Sequence, residues 1–389
     1  MARQPRSPMI VGAVILAMAT VALGAQLLRP HHRATAAARP GGSTADAVFR
    51  AVARSLSPLI HSAKELSTLT TEVRSGSAPA PAVNQIAAGW ETNFATSRDL
   101  VGRLPLPAPT AGVDRSRTLY QLGAELYVES ARAVPRLVAA AGDSSARSEN
   151  LKRVSRLQLL GDRLFDAGTR LLGTTGPGGD DSTVAIKRLP TEEVPDFRAA
   201  GLDPGPADPG PPSAAPSGDQ LTRIGPAEWV ARHRAEIAEA AGVFNRSVAW
   251  VAKPGAADAA VGAPASLERL AARLGGDVPD TRPGREGAHE LRLAVLVQGE
   301  SLRTLALGHD PAAVEQAQRL RLIAEQLWDV ARSLLVAGKA GGSSLYHLDP
   351  SGLDPDVLRT GGVFDGHPPP LHPGEDPGTG VPGGLPSLS

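Results

Sequence analysis

The sequence predicts an all-α protein: two tandem four-helix up-and-down bundles, each followed by a Pro/Gly-rich extended arm, behind one N-terminal hydrophobic helix. Three observations carry that reading. Apolar residues recur at intervals of three and four, the spacing that lines one face of a helix. Aromatic residues make up 3% of the chain and Ala, Leu and Val supply most of its apolar mass, which suits helices better than strands. And one block near the middle of the chain recurs near its end.

The hydrophobic helix is the uncharged run MIVGAVILAMATVALGAQLL at 9–28, behind the basic stretch 1–8 with Arg3 and Arg6. About 20 apolar residues suffice to cross a bilayer. The run reads either as a signal anchor, because it continues through Leu27 and Leu28, or as a signal peptide cleaved after Ala22-Leu23-Gly24. Both readings place the rest outside the cytoplasm, anchored by a single span or secreted. Arg29, Arg33 and Arg39 in the linker 29–42 weaken the charge asymmetry and keep a reversed topology open.

The first bundle is expected over 43–175. Its first helix carries Val52, Leu56, Leu59, Ala63, Leu66 and Val73, with Ser43 and Asp46 as a helix-start pair and Pro58 as an internal bend. The second carries Val83, Ile86, Trp90, Phe94, Val101 and Leu104, and Pro105 and Pro107 end it. The third runs from about Arg115 to Ala140 with Leu119, Leu122, Leu126, Val134 and Leu137. The fourth carries Leu157, Leu160, Leu164, Leu171 and Leu172. Short turns between amphipathic helices favour antiparallel neighbours.

The second bundle is expected over 225–340. LQLLGDRLFDAGTRLL at 157–172 aligns without gaps with LRLIAEQLWDVARSLL at 320–335. Phe165 meets Trp328, and Gly161 and Gly168 meet Ala324 and Ala331. Upstream, Glu129-Ser130-Ala131-Arg132 matches Glu300-Ser301-Leu302-Arg303. A helix opened by Pro226 has the stripe Val230, His233, Ile237, Ala240, Phe244, Val248 and Val251, and a shorter one holds Leu267, Leu270 and Leu274. The arms, 176–224 and 341–389, belong to the repeat on this reading. Pro190, Pro195, Asp196 and Gly201 recur at constant spacing as Pro350, Pro355, Asp356 and Gly361, which predicts extended segments lying along each bundle. Coincidence in Pro/Gly-biased sequence is the competing account.

Composition narrows the function classes. Lys+Arg and Asp+Glu are both 40, so the chain has no net basic charge to attract nucleic acid. With no cysteine there is no disulfide, thiolate metal site or thiol nucleophile. No catalytic, cofactor or metal motif stands out. Glu286-Gly-Ala-His289 is the one match to the Glu-x-x-His of di-metal bundles, which need two. His233, on an apolar stripe, reads as a core histidine. The tail set His347, His367, His372, Asp349, Asp354, Asp356 and Asp365 lies in a proline-rich setting unsuited to a preorganised site. The Gly-rich run 338–342 lacks the context of a phosphate loop.

What remains is a repeat-shared polar surface: Glu129, Arg132 and Asp166, with Glu300, Arg303 and Asp329. The Glu–Arg pairs, three apart, are expected on a solvated face. Asp166 and Asp329 are expected to form an acidic edge with Asp162 and Glu325. Ser130 and Ser301 are expected to bond back to their own helix where a neighbour approaches closely. The function these features favour is a non-enzymatic, membrane-tethered or secreted binding or scaffold protein, for an unknown protein or small-molecule partner and with self-association open. The alternatives are a small-molecule-binding protein with one pocket per bundle and, less favoured, an enzyme of an unfamiliar helical class. Unrelated polar linings in the two bundles would favour the scaffold.

Overall fold

The computed structural model describes residues 44–76, 79–104, 111–173, 222–252, 262–307, 310–337 and Leu348. The run 9–28 and nearly all of both arms lie outside the described residues, so the expectations about anchoring and extended arms fall there too. Within the described residues the protein is all-α, with ten α-helices and two three-residue strands. No described helix is long and apolar enough to cross a membrane.

The first half begins with α1 (Thr44–Ser55) and α2 (Ser57–Arg74). They meet at Leu56, where the predicted bend occurs, and Pro58 sits in the first turn of α2. That placement suits proline, whose missing N–H is one of the helix-start donors that lack a partner anyway. Helix α3 (Val83–Gly102) buries Trp90, Phe94 and Val101 as expected, but Ile86 is 42% exposed. Ile86 lies only one turn into α3, ahead of its first buried residue, Ala87. Helices α4 (Ala111–Ala139) and α5 (Ser144–Gly173) are both longer than the apolar stripes imply. Pro135 lies inside α4 on its exposed side. Helix α3 packs on α2 and α4, α4 packs on α5, and α2 also reaches α5.

The second half opens with β1 (Thr222–Ile224), then α6 (Pro226–Arg232), α7 (Arg234–Ala252), α8 (Ala263–Leu274), β2 (Asp277–Pro279), α9 (Arg282–Leu307) and α10 (Pro311–Ala337). The single helix expected from Pro226 is two, joined at His233. Backbone bonds from His233 N to Trp229 O and from Ile237 N to His233 O carry the chain across this kink. The strands were not anticipated. They pair in parallel, with Thr222 opposite Asp277 and Ile224 opposite Pro279. Their hydrogen bonds join segments some fifty residues apart, which no local periodicity encodes.

The halves share one core. Leu119, Leu122, Leu126, Leu157, Leu160 and Leu164 fall in the same buried apolar cluster as Phe244, Leu267, Leu293, Leu320 and Trp328. Leu348 from the second arm packs on that cluster as well. A second cluster, centred on Phe94, Tyr127 and Phe165, belongs to the first half alone. Contact between halves runs along two helix pairs, α4 against α10 and α5 against α9.

Candidate functional site

Where α4 and α5 meet α9 and α10 the interior carries buried charge beside the shared apolar cluster. Glu129 of α4 and Glu300 of α9 are 0% and 1% exposed, so the solvated face expected for them is corrected: they are core residues. Each forms an ion pair with an arginine of the opposite half. Arg319 Nε lies 2.6 Å from Glu129 Oε1, and Arg156 Nε lies 2.7 Å from Glu300 Oε1. These contacts are reciprocal in sequence, since Arg156 and Arg319 each immediately precede the aligned leucines Leu157 and Leu320.

The same carboxylates hold an arginine within their own helix. Arg132 Nη1 is 2.7 Å from Glu129, and Arg303 Nη1 is 2.6 Å from Glu300. Arg132 continues outward to Glu91 of α3 at 2.7 Å, and Arg303 to Glu268 of α8. Arginine suits such branching because its planar fork offers several fixed donors. The result is a chain of alternating charges crossing the molecule, extended by Arg98 donating to buried Glu125 at 2.6 Å and by Arg319 with Glu315.

Electrostatics follow from this arrangement. Burial would push Glu129 and Glu300 up, but Arg319 with Arg132, and Arg156 with Arg303, hold both below the usual carboxylate range. Burial raises Glu125 above that range despite Arg98, with Glu129 adding to the effect. Removing two charges from water costs several kcal/mol each, and only close, well-hydrogen-bonded partners offset it. The network therefore fixes how the halves mate.

Ser130 and Ser301 also depart from expectation. Ser130 Oγ donates to Val154 O of α5 (3.3 Å), and Ser301 Oγ to Ala317 O of α10 (2.7 Å). Each bonds to the neighbouring helix rather than to its own, and the two acceptors occupy matching positions. Across the halves, Gln316 Nε2 donates to Glu129 O at 2.8 Å, and Arg153 Nη2 donates to Gln316 Oε1 at 2.6 Å.

The acidic edge divides. Asp162 turns inward to accept from Tyr127 Oη (2.6 Å), and Glu325 pairs with Arg321 (2.6 Å). Asp166 stays nearer the surface with Arg163 at 3.6 Å, and Asp329, 69% exposed, has Arg332 at 3.4 Å. Of the six predicted residues, four join the cross-molecule network and two do not.

Glu286 gives its carboxylate to Arg170 Nε at 3.0 Å, across α5 and α9. His289 and Glu290 follow, 3% and 0% exposed. Burial and then Arg170 hold the His289 imidazole well below its ordinary value, and burial, then Glu286, hold the Glu290 carboxyl well above its own. Among the described residues neither Glu290 oxygen nor His289 Nε2 has a hydrogen-bond partner. His233 is a core residue against the Trp229 ring at 4.8 Å. Among the described residues no group of three or more His, Asp or Glu is placed to hold a metal.

Sequence reasoning missed Arg153, Arg156, Gln316 and Arg319. For Arg156 and Arg319 the available signal was arginine beside a leucine stripe at aligned positions; Arg153 and Gln316 are aligned but differ, and carried no such signal.

No family model, curated protein or solved structure matches the chain.

Proposed function

We propose that this chain is a non-catalytic helical platform: two duplicated four-helix up-and-down bundles fused into one body and presented to a partner. The run 9–28 would hold that body at the membrane on the extracytoplasmic side, or direct its secretion if cleaved, and the Pro/Gly-rich arms would act as spacers. The observation that carries the reading is the reciprocal pairing of Glu129 with Arg319 and of Glu300 with Arg156. Four of the six repeat-shared charges belong to the network that joins the halves, which leaves outer helix faces as the surfaces for recognition.

The linings within the halves favour a platform over one pocket per bundle. The first half places Tyr127 against Phe94 and Phe165. Where the first half has Tyr127 the second has Gln298, whose Nε2 donates to Ser247 Oγ at 2.8 Å. Arg321 joins it there, donating to Phe244 O and Ser247 Oγ. A ligand common to both copies would call for matching polar groups, and these differ in size, charge and hydrogen-bonding sense.

The test uses the full chain with an epitope after Ser389, expressed in cells. The expected outcome is an epitope in the membrane pellet or the medium, open to external protease. An epitope found in the cytosol, or protected behind the membrane, overturns the placement. A reproducible adduct of one small molecule per half in native mass spectrometry overturns the platform in favour of the pocket reading.

A further inference from the structure

The contact between the halves is the same in both directions. Glu129 of α4 meets Arg319 of α10, and Glu300 of α9 meets Arg156 of α5. Each half therefore supplies one carboxylate and one arginine to the other. The helices reciprocate too, α4 packing on α10 and α5 on α9. A surface that gives and receives the same groups is self-complementary, the geometry of an interface between identical subunits related by a two-fold axis. Its partner is thus defined by sequence repeat rather than by chain connectivity.

One position breaks the symmetry. On such an axis a residue meets its own counterpart, and Arg153 meets Gln316, the residue aligned with it. Arg153 Nη2 donates to Gln316 Oε1 at 2.6 Å, and both side chains are buried. The carboxylates facing Arg153, Glu129 and Glu300, come one from each half. Two first halves would set Arg153 against Arg153, and arginine carries donors but no acceptor. Like charges would meet out of water with no hydrogen bond between them. Two second halves would set Gln316 against Gln316, whose amides can pair, but both first halves would then lack a mate.

That difference decides which assemblies form. Pairing first half on first and second on second never closes and would run on as an open chain, whereas unlike halves close, within one chain or between two. Residues 174–221 join Gly173 of α5 to Thr222 of β1, a stretch that fully extended can span on the order of 150 Å. Its length does not dictate which chain's second half a first half meets. We propose that the interface between the halves also fits a second copy of this chain, taken by reciprocal exchange of halves into a closed dimer, and that Arg153 against Gln316 restricts the exchange to unlike halves. The tether holds a chain's own halves at an effective concentration of about a millimolar or less, so exchange grows as chain concentration nears that value. The inference holds whether or not the body serves as a platform.

The test exploits the absence of cysteine from the chain. Arg136 of α4 and Asp310, just ahead of α10, face each other across the halves at 3.1 Å, their side chains 26% and 54% exposed. Two full chains, one Arg136→Cys and the other Asp310→Cys, are mixed in urea, refolded together near a millimolar and treated with a short bismaleimide. A link between positions 136 and 310 of different chains is expected in about half of the dimer, the share that random exchange makes mixed. It is expected to disappear, with the dimer, when refolding is done at high dilution. By size exclusion the unaltered chain should stop at the dimer, whereas Arg153→Gln, which lets first halves pair, should continue to larger species. No dimer at any concentration, a dimer without the 136–310 link, or species beyond the dimer from the unaltered chain overturns the exchange. Arg153→Gln halting at the dimer overturns the part given to Arg153.

Discussion

Glu290 and His289 are neighbours in α9 whose burial acts in opposite directions. Glu290 keeps its proton in the fold, while the unfolded chain releases it above about 4.5. The native state then binds more protons than the unfolded one, so this group's contribution to stability falls as pH rises through the carboxylate range. His289 is the reverse. It is neutral when folded, the unfolded chain charges below about 6.5, and its contribution is lost as pH falls through that value. Glu290→Gln is therefore expected to raise stability at pH 7–8 and to flatten its decline from acid to neutral pH. Urea denaturation at intervals between pH 5 and 8 measures this. An unchanged slope would mean that Glu290 is ionised in the fold.

At the scale of the helix, the two α-hairpins use close seams with different small residues. In the first, Ser116 Oγ donates to Gly168 O at 2.6 Å, and a Cβ on Gly168 would lie 3.2 Å from Ser116 O. In the second, the matching pair is Gly287 and Ala331, and a Cβ on Gly287 would lie 2.9 Å from Ala331 O. Each seam accepts one side chain, contributed from opposite helices. Gly287→Ser is accordingly expected to cost about 1–3 kcal/mol through overpacking. Adding Ala331→Gly recreates the first seam and should recover much of that loss. Chemical denaturation of the single and double variants gives the coupling, and strict additivity would mean that the seams are not equivalent.

The helices themselves were legible because burial on one face imposes a period of 3.6, and the predicted leucines of α4 and α5 are buried. The strands were not, since Thr222 and Asp277 meet only through the tertiary fold. The site was half legible. Glu129, Arg132, Glu300 and Arg303 could be singled out from the repeat, but a Glu–Arg pair three apart reads as solvated. Only the arrival of Arg319 and Arg156 from the other half makes their burial tolerable.

At the scale of the molecule, joining the two halves through charge as well as apolar contact has a consequence for cooperativity. Glu129 and Glu300 would each be left as buried, under-compensated carboxylates if either half opened alone. The helices that carry them, α4 and α9, are also the ones that pack on α10 and α5 of the other half. Independent unfolding of one half would expose part of the shared cluster at Leu126, Leu160 and Ile323 and strand those charges. The described body is therefore expected to unfold in one transition. Hydrogen exchange should give peptides from α4–α5 and α9–α10 the same opening free energy, with shared denaturant dependence. Glu300→Gln should lower that common value in both hairpins by about 3–5 kcal/mol, because it leaves Arg156 buried without its carboxylate. Two separate transitions, or a loss confined to α9–α10, would mean that the halves behave as independent domains and that the charged network only aligns them. The choice matters for the proposed platform: halves that open together would offer a partner one rigid surface, whereas separable halves would present two faces at variable spacing.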